Sequence, residues 1–76
     1  MKLTRIKAYR DNNFMFEMLY ATDSHVKALE KFYTEFKECK NQNYICMAET
    51  LNTEDPKHLD FIMLAMKCGL LRSAKS

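Results

Sequence analysis

The most constraining feature of this sequence is a run of six consecutive apolar residues, Phe61 to Met66, close to its end. Asp55 and Pro56 precede the run as a helix cap and a first-turn proline, and Gly69 follows it as a stop signal, so the run is predicted to lie in a helix. Its apolar side chains span roughly 200° of the helix circumference, against the 100° or slightly more that a surface helix usually shows. A helix this apolar is usually covered on several sides, and a short chain has few elements to cover it.

The length of the chain limits what else it can build. Its 76 residues allow one domain with a small core, so residues 1–76 are treated as a single domain that ends in a short polar tail of roughly five residues. The sequence contains one glycine and one proline, which indicates that most of the chain lies in regular structure.

The remaining pattern predicts an α+β fold with the element order β-β-α-β-α. Alternating side chains mark strands at Lys2 to Arg10, Phe14 to Ala21 and Tyr44 to Leu51. In the second of these strands the even residues, from Phe14 to Tyr20, are predicted to share one face. A polar cap precedes an amphipathic helix from about Ser24 to Cys39. We therefore predict a three-stranded, mainly antiparallel sheet packed with two helices.

Catalytic and metal-binding groups form no recognisable motif. Phosphate-binding loops need several glycines, which this chain lacks. The groups that could ligate a metal are Cys39, Cys46, Cys68, His25 and His58. They show neither a C-x₂-C pair nor two histidines four residues apart, and the cysteines have apolar neighbours that favour burial. We expect no enzyme activity, no metal or cofactor, and no small-molecule substrate.

The cysteine count and the hydropathy profile bear on the compartment. Three cysteines cannot all pair within one chain, and the first ten residues lack the apolar run of a secretory signal. No stretch approaches the roughly 18 apolar residues of a membrane span. The sequence therefore predicts a cytoplasmic protein with reduced thiols and no membrane contact.

The excess apolar surface of the last helix favours protein binding, because large exposed apolar patches usually mark interaction sites. The residues predicted to contact a protein partner are Phe61, Met63, Leu64 and Leu71. The partner is either a second copy, which would make a homodimer, or a host protein. In size, low glycine and proline content and element order, the chain is similar to small phage or mobile-element accessory proteins. That resemblance implies stoichiometric binding that inhibits or regulates a host protein.

Nucleic-acid binding is the alternative interpretation, and it depends on the first strand. The residues predicted for this role are Arg5, Lys7, Tyr9 and Arg10. Basic groups interleaved with an aromatic ring can contact phosphates and stack on bases. If the strand lies at a sheet edge, the same charges serve instead to discourage edge-to-edge aggregation.

Overall fold

A computed structural model describes residues 1–74 and confirms the predicted α+β class. Within those residues, the strands are β1 (Lys2–Arg10), β2 (Asn13–Tyr20), β3 (Tyr44–Asn52) and β4 (Leu71–Arg72). The helices of the same part of the chain are α1 (His25–Glu35), α2 (Glu38–Asn41) and α3 (Pro56–Lys67). The number of strands and helices therefore exceeds the prediction.

The described strands form one mixed sheet in the order β3-β1-β2-β4. β1 lies in the interior and pairs antiparallel with both β2 and β3. β4 pairs parallel with β2 by placing Leu71 beside Leu19 and Arg72 beside Tyr20. The prediction of three strands was wrong because β4 has only two residues and no alternation to detect. β4 also contains Arg72, part of the predicted polar tail, while residues 75 and 76 of that tail lie outside the described residues.

A two-residue turn joins β1 and β2. Asp11 and Asn12 adopt positive φ angles of 53° and 64°, the backbone shape that tight two-residue hairpins require. A bulge between Ala8 and Tyr9 then shifts the register of the two strands, so that Phe14 faces Tyr9. Strict alternation had placed Phe14 on the face of Phe16, and the bulge makes that prediction wrong.

The first face of the sheet is covered by α1 and α2. Ser24 caps α1 by accepting a hydrogen bond from the amide of Lys27. The buried side chains of this layer are Ile6, Ala8, Met18, Tyr20, Ala28, Phe32 and Cys39. The predicted single helix to Cys39 is wrong, because the chain leaves helical geometry at Phe36 and restarts as α2 against β3. The break keeps the Phe36 ring on Phe16, with 4.9 Å between the ring centroids.

The second face of the sheet is covered only at one end, where α3 crosses it. Asp55 caps the helix by accepting from the amide of Lys57, and Pro56 occupies the first turn, as predicted. The helix ends at Lys67, and Gly69 follows in the left-handed region at a φ of 73°. The buried side chains here are Leu3, Leu19, Leu51, Ile62 and Ala65. Beyond this row, the second face of the sheet has no helix over it in the described part of the chain.

Candidate protein-binding surface

The uncovered part of the second face carries both apolar and charged side chains. We call it the open half-face, and its residues are Arg5, Lys7, Tyr9, Phe14, Glu17, Ile45, Met47 and Glu49. Strand alternation places them on one side of the sheet, and the bulge adds Phe14. The exposed fractions are 51% for Phe14, 61% for Ile45 and 58% for Met47. Large apolar side chains are rarely left this exposed side by side without a binding role.

A shallow recess opens among these apolar side chains. It has a volume of about 300 Å³ and is lined by Tyr9, Asn12, Ile45 and Met47. The Tyr9 ring also meets the Phe14 ring edge-on, with 5.8 Å between centroids. This contact packs Phe14 against one wall of the recess, and three of the four lining side chains are largely apolar.

The charged side chains of the open half-face neutralise one another. Arg5 hydrogen-bonds the carboxylate of Glu49, and its Nη1 lies 3.7 Å from Oε1 of Glu17. The Nζ of Lys7 lies 3.6 Å from the same Glu49. Burial raises the pKa of Glu49, but hydrogen bonding to Arg5 and the charges of Arg5 and Lys7 outweigh it, leaving the pKa below its ordinary value. Two cations therefore face two anions, and the surface carries no net charge.

The structure separates the residues predicted to bind nucleic acid. Arg5, Lys7 and Tyr9 share a face, as strand alternation predicted, but Arg10 lies on the other face with its guanidinium carbon 5.8 Å from the Tyr44 ring centroid. The strand that carries them is interior, so the alternative of a solvated edge strand is wrong. Because carboxylates occupy both cations of the shared face, little positive charge remains there for phosphate groups.

The residues predicted on and after α3 also divide into exposed and packed members. Met63 and Leu64 are 51% and 61% exposed, whereas Phe61 and Leu71 are half-buried against the second core. The guanidinium carbon of Arg5 lies 4.6 Å from the centroid of the Phe61 ring, so this side of α3 adjoins the open half-face. Leu64 follows Phe61 by one turn and shares its side of the helix, while Met63 projects from the opposite side.

Three exposed residues of the open half-face, Phe14, Ile45 and Met47, were not predicted from the sequence. One sequence pattern does point to them. In β2 and β3, apolar side chains occur on both faces of the strand, and two helices cannot cover both faces of the sheet. Strict alternation predicts Phe14 on the opposite face, because a bulge leaves no mark in a single sequence. For Ile45 and Met47 the sequence pattern predicts only that they lie in a strand.

The cysteines and histidines are dispersed through the fold. Within residues 1–74, no group of three or more potential metal ligands lies together. Cys39 is buried, and burial is the main cause that raises the pKa of its thiol. Cys68 is exposed after the end of α3, so the prediction that it would be buried is wrong. The Nδ1 of His58 accepts a hydrogen bond from the amide of Asn52 at 3.1 Å, which gives this ring a structural role.

None of the described helices combines the length and the apolar character that crossing a bilayer requires. Protein-family models, curated proteins and solved structures contain no significant match to this chain. Fold and surface together describe a small α+β protein whose mixed four-stranded sheet, over the described residues, has one face covered and the other half covered.

Proposed function

We propose that this chain is a protein-binding module that uses the open half-face and the adjoining side of α3, with Phe61 and Leu64, to hold a host protein. The observation that carries the proposal is the grouping of three apolar side chains that are each more than half exposed: Ile45 and Met47 line one recess, and Phe14 packs against the Tyr9 ring that forms its wall. Their exposure has no counterpart at the other end of the same face, where α3 buries the equivalent row.

The composition of this surface supports a protein partner. Cores of protein interfaces are enriched in aromatic residues, methionine and arginine, and the open half-face contains Tyr9, Phe14, Met47 and Arg5. Because Arg5 is already paired with carboxylates, a partner can cover it without leaving an unpaired charge. The partner we propose presents an apolar side chain to the recess, surrounded by polar groups without a strong net charge.

The proposed action is occlusion. A cytoplasmic chain of this size that covers a working surface of a host protein inhibits or regulates it by stoichiometric binding, and no step needs a catalytic group. Nucleic-acid binding is the weaker candidate, since Arg5 and Lys7 are engaged by Glu49 and Arg10 faces away from them.

Quantitative affinity capture from the producing cell tests the proposal. Phe14→Asp and Leu64→Asp place a charge on the proposed surface at side chains that are already half or more exposed, so folding is expected to persist. Each is expected to lower capture of the specific partner about tenfold or more, because an unpaired carboxylate is costly in a desolvated contact.

Met63→Asp is the matched control, since Met63 is 51% exposed but projects from the opposite side of α3. It is expected to retain capture. Equal capture by all variants, or equal loss in the control, would show that the contact surface is elsewhere. Capture of nucleic acid that persists after Phe14→Asp and falls with added salt would favour the alternative function.

A further inference from the structure

β3 forms an outer edge of the sheet over its full length. Its nine residues pair with β1 in continuous register, without a bulge, and contain neither proline nor glycine. Its one charged side chain, Glu49, is held by Arg5 and Lys7. Natural edge strands are usually protected by lysine, proline, a bulge or a short length, and β3 has none of these.

The direction of its backbone groups follows from two hydrogen bonds at the end of the strand. The amide of Thr53 donates to the carbonyl of Met1 at 2.9 Å, while the amide of Asn52 turns away from β1 and donates to His58. Antiparallel pairs use alternate residues on each side. The amides and carbonyls of Cys46, Ala48 and Thr50 therefore point outward, away from the sheet.

Apolar side chains flank this edge on the helix-covered face. Val26 is 66% exposed and lies on the same side of α1 as Leu29 and Tyr33. Tyr33 and Cys46 pack on the same core, which places this side of α1 over β3. The neighbouring Cys46 thiol and burial raise the pKa of Tyr33 to about 12. The opposite side of α1 carries Glu35, which binds Arg72 of β4 at 3.1 Å.

A shallow cleft of about 610 Å³ runs along this apolar side of α1. Its lining is Val26, Leu29, Glu30, Tyr33, Thr34 and Lys40. It includes one acidic and one basic side chain, Glu30 and Lys40, so a copy of the same cleft can face it without net repulsion. A two-fold interface requires such self-complementarity, because the same patch serves both partners.

We propose that β3 pairs antiparallel with β3 of a second copy of this chain, about a two-fold axis at Ala48, and joins the two sheets. This register places Cys46 opposite Thr50 of the second copy, and both have outward-facing backbone groups. On the other face it brings Ile45 beside Leu51 of the second copy, which is 2% exposed and belongs to the second core. Because Leu51 is already covered within its own core, the side-chain contacts of this seam lie on the helix-covered face, where the two α1 helices meet through Val26 and Tyr33.

Solution mass, measured by sedimentation equilibrium over a range of concentrations, tests the pairing. The wild-type chain is expected to reach the mass of a dimer. Ala48→Pro removes an outward amide while leaving the bonds to β1, and Val26→Asp places charge on the α1 side of the seam. Each is expected to raise the dimer dissociation constant about tenfold or more. Met63→Asp makes the same change from an apolar to an acidic side chain, but on α3, and is expected to remain dimeric.

A wild-type chain that stays monomeric up to about millimolar concentration, where even weak pairing appears, would overturn the proposal. Dimers retained by a folded Val26→Asp chain would do the same, and circular dichroism establishes that folding. If Ala48→Pro unfolds, Val26→Asp decides alone. Dimer pairing and host binding can be separated by experiment. Phe14→Asp and Leu64→Asp are expected to lose partner capture and remain dimeric. Val26→Asp is expected to retain partner capture and lose the dimer.

Discussion

At the scale of single residues, Arg5 connects the two parts of the second face. It lies on the interior strand, hydrogen-bonds Glu49 of β3, faces Glu17 of β2 and contacts the Phe61 ring of α3. Its side chain is only 18% exposed, so its charge depends on these neighbours for compensation. The position of α3 and the neutrality of the open half-face are therefore linked through one guanidinium group.

The lowered pKa of Glu49 predicts an acid-dependent loss of stability. A carboxyl group whose pKa is lower in the folded chain than its unfolded value of about 4.3 stabilises the fold above that value. This contribution is lost as the pH falls through the folded pKa. Between about pH 6 and pH 3, the urea midpoint of Glu49→Gln is expected to fall less than that of the wild-type chain.

Glu54→Gln is the control for this prediction, because no ion pair to Glu54 is found within the described part of the chain. It is expected to retain the acid dependence of the wild type. An unchanged acid dependence in Glu49→Gln would mean that the network around Arg5 contributes little to stability.

These residue contacts also mark how far the sequence can be interpreted. The common face of Arg5, Lys7 and Tyr9 was predictable, because alternation is a local property of a strand. Their pairing with Glu17 and Glu49 was not, since it depends on the register between strands and joins Arg5 to a residue 44 positions away. The positive charge of the first strand therefore looked available in the sequence and is compensated in the fold.

At the scale of elements, α3 determines which part of the second face stays open. The cap at Asp55 fixes where the helix starts, directly after β3, and His58 in its first turns binds the amide of Asn52. From there α3 crosses to the opposite edge of the sheet, where β4 pairs with β2. One helix thus connects both outer strands and covers only the row of residues beneath its path.

Removing the cap of α3 is predicted to destabilise the fold. Asp55→Ala deletes the acceptor for the Lys57 amide and is expected to cost about 1 kcal/mol, which lowers the melting temperature by about 4–8 °C in a domain of this size. Asp60→Ala, at an exposed position inside the same helix, is expected to change it far less. Calorimetry of both variants measures the difference, and equal melting temperatures for the two would argue against a role for the cap.

The elements differ in how clearly the sequence specifies them. The limits of α3 were predictable because Asp55, Pro56 and Gly69 are local signals at its ends. The end of α1 at Phe36 was not, because no glycine or proline marks it, and the break serves packing against β3. β4 was not predictable either, since its pairing requires the path of α3 to be known.

At the scale of the whole molecule, the sheet is protected unevenly. β1 is bonded on both sides, whereas the outward amides of β3 have no bond to the sheet. Protection from hydrogen exchange follows such differences in local opening. The amides of β1 are therefore expected to exchange most slowly, and the amides of Cys46, Ala48 and Thr50 quickly in dilute solution.

The exchange of those β3 amides is predicted to depend on protein concentration. Pairing with a second copy engages them in hydrogen bonds, so their exchange is expected to slow as the concentration rises, while the exchange of β1 stays constant. Amide-resolved nuclear magnetic resonance can follow both sets in one sample. Rates at Ala48 that do not change with concentration would contradict the pairing.

The opposite edge of the sheet has a different construction. β4 has only two residues, which pair with Leu19 and Tyr20 at the end of β2. The ion pair between Arg72 and Glu35 holds β4 in place. Near the start of β2, the bulge distorts the register between β1 and β2. Bulges and short outer strands both oppose the addition of a new strand. A sheet with one unprotected edge strand can pair with a second sheet only once, because the joined sheet has no other unprotected edge. Association through it ends at a closed pair, and the molecule avoids the open-ended filaments that two unprotected edges would nucleate.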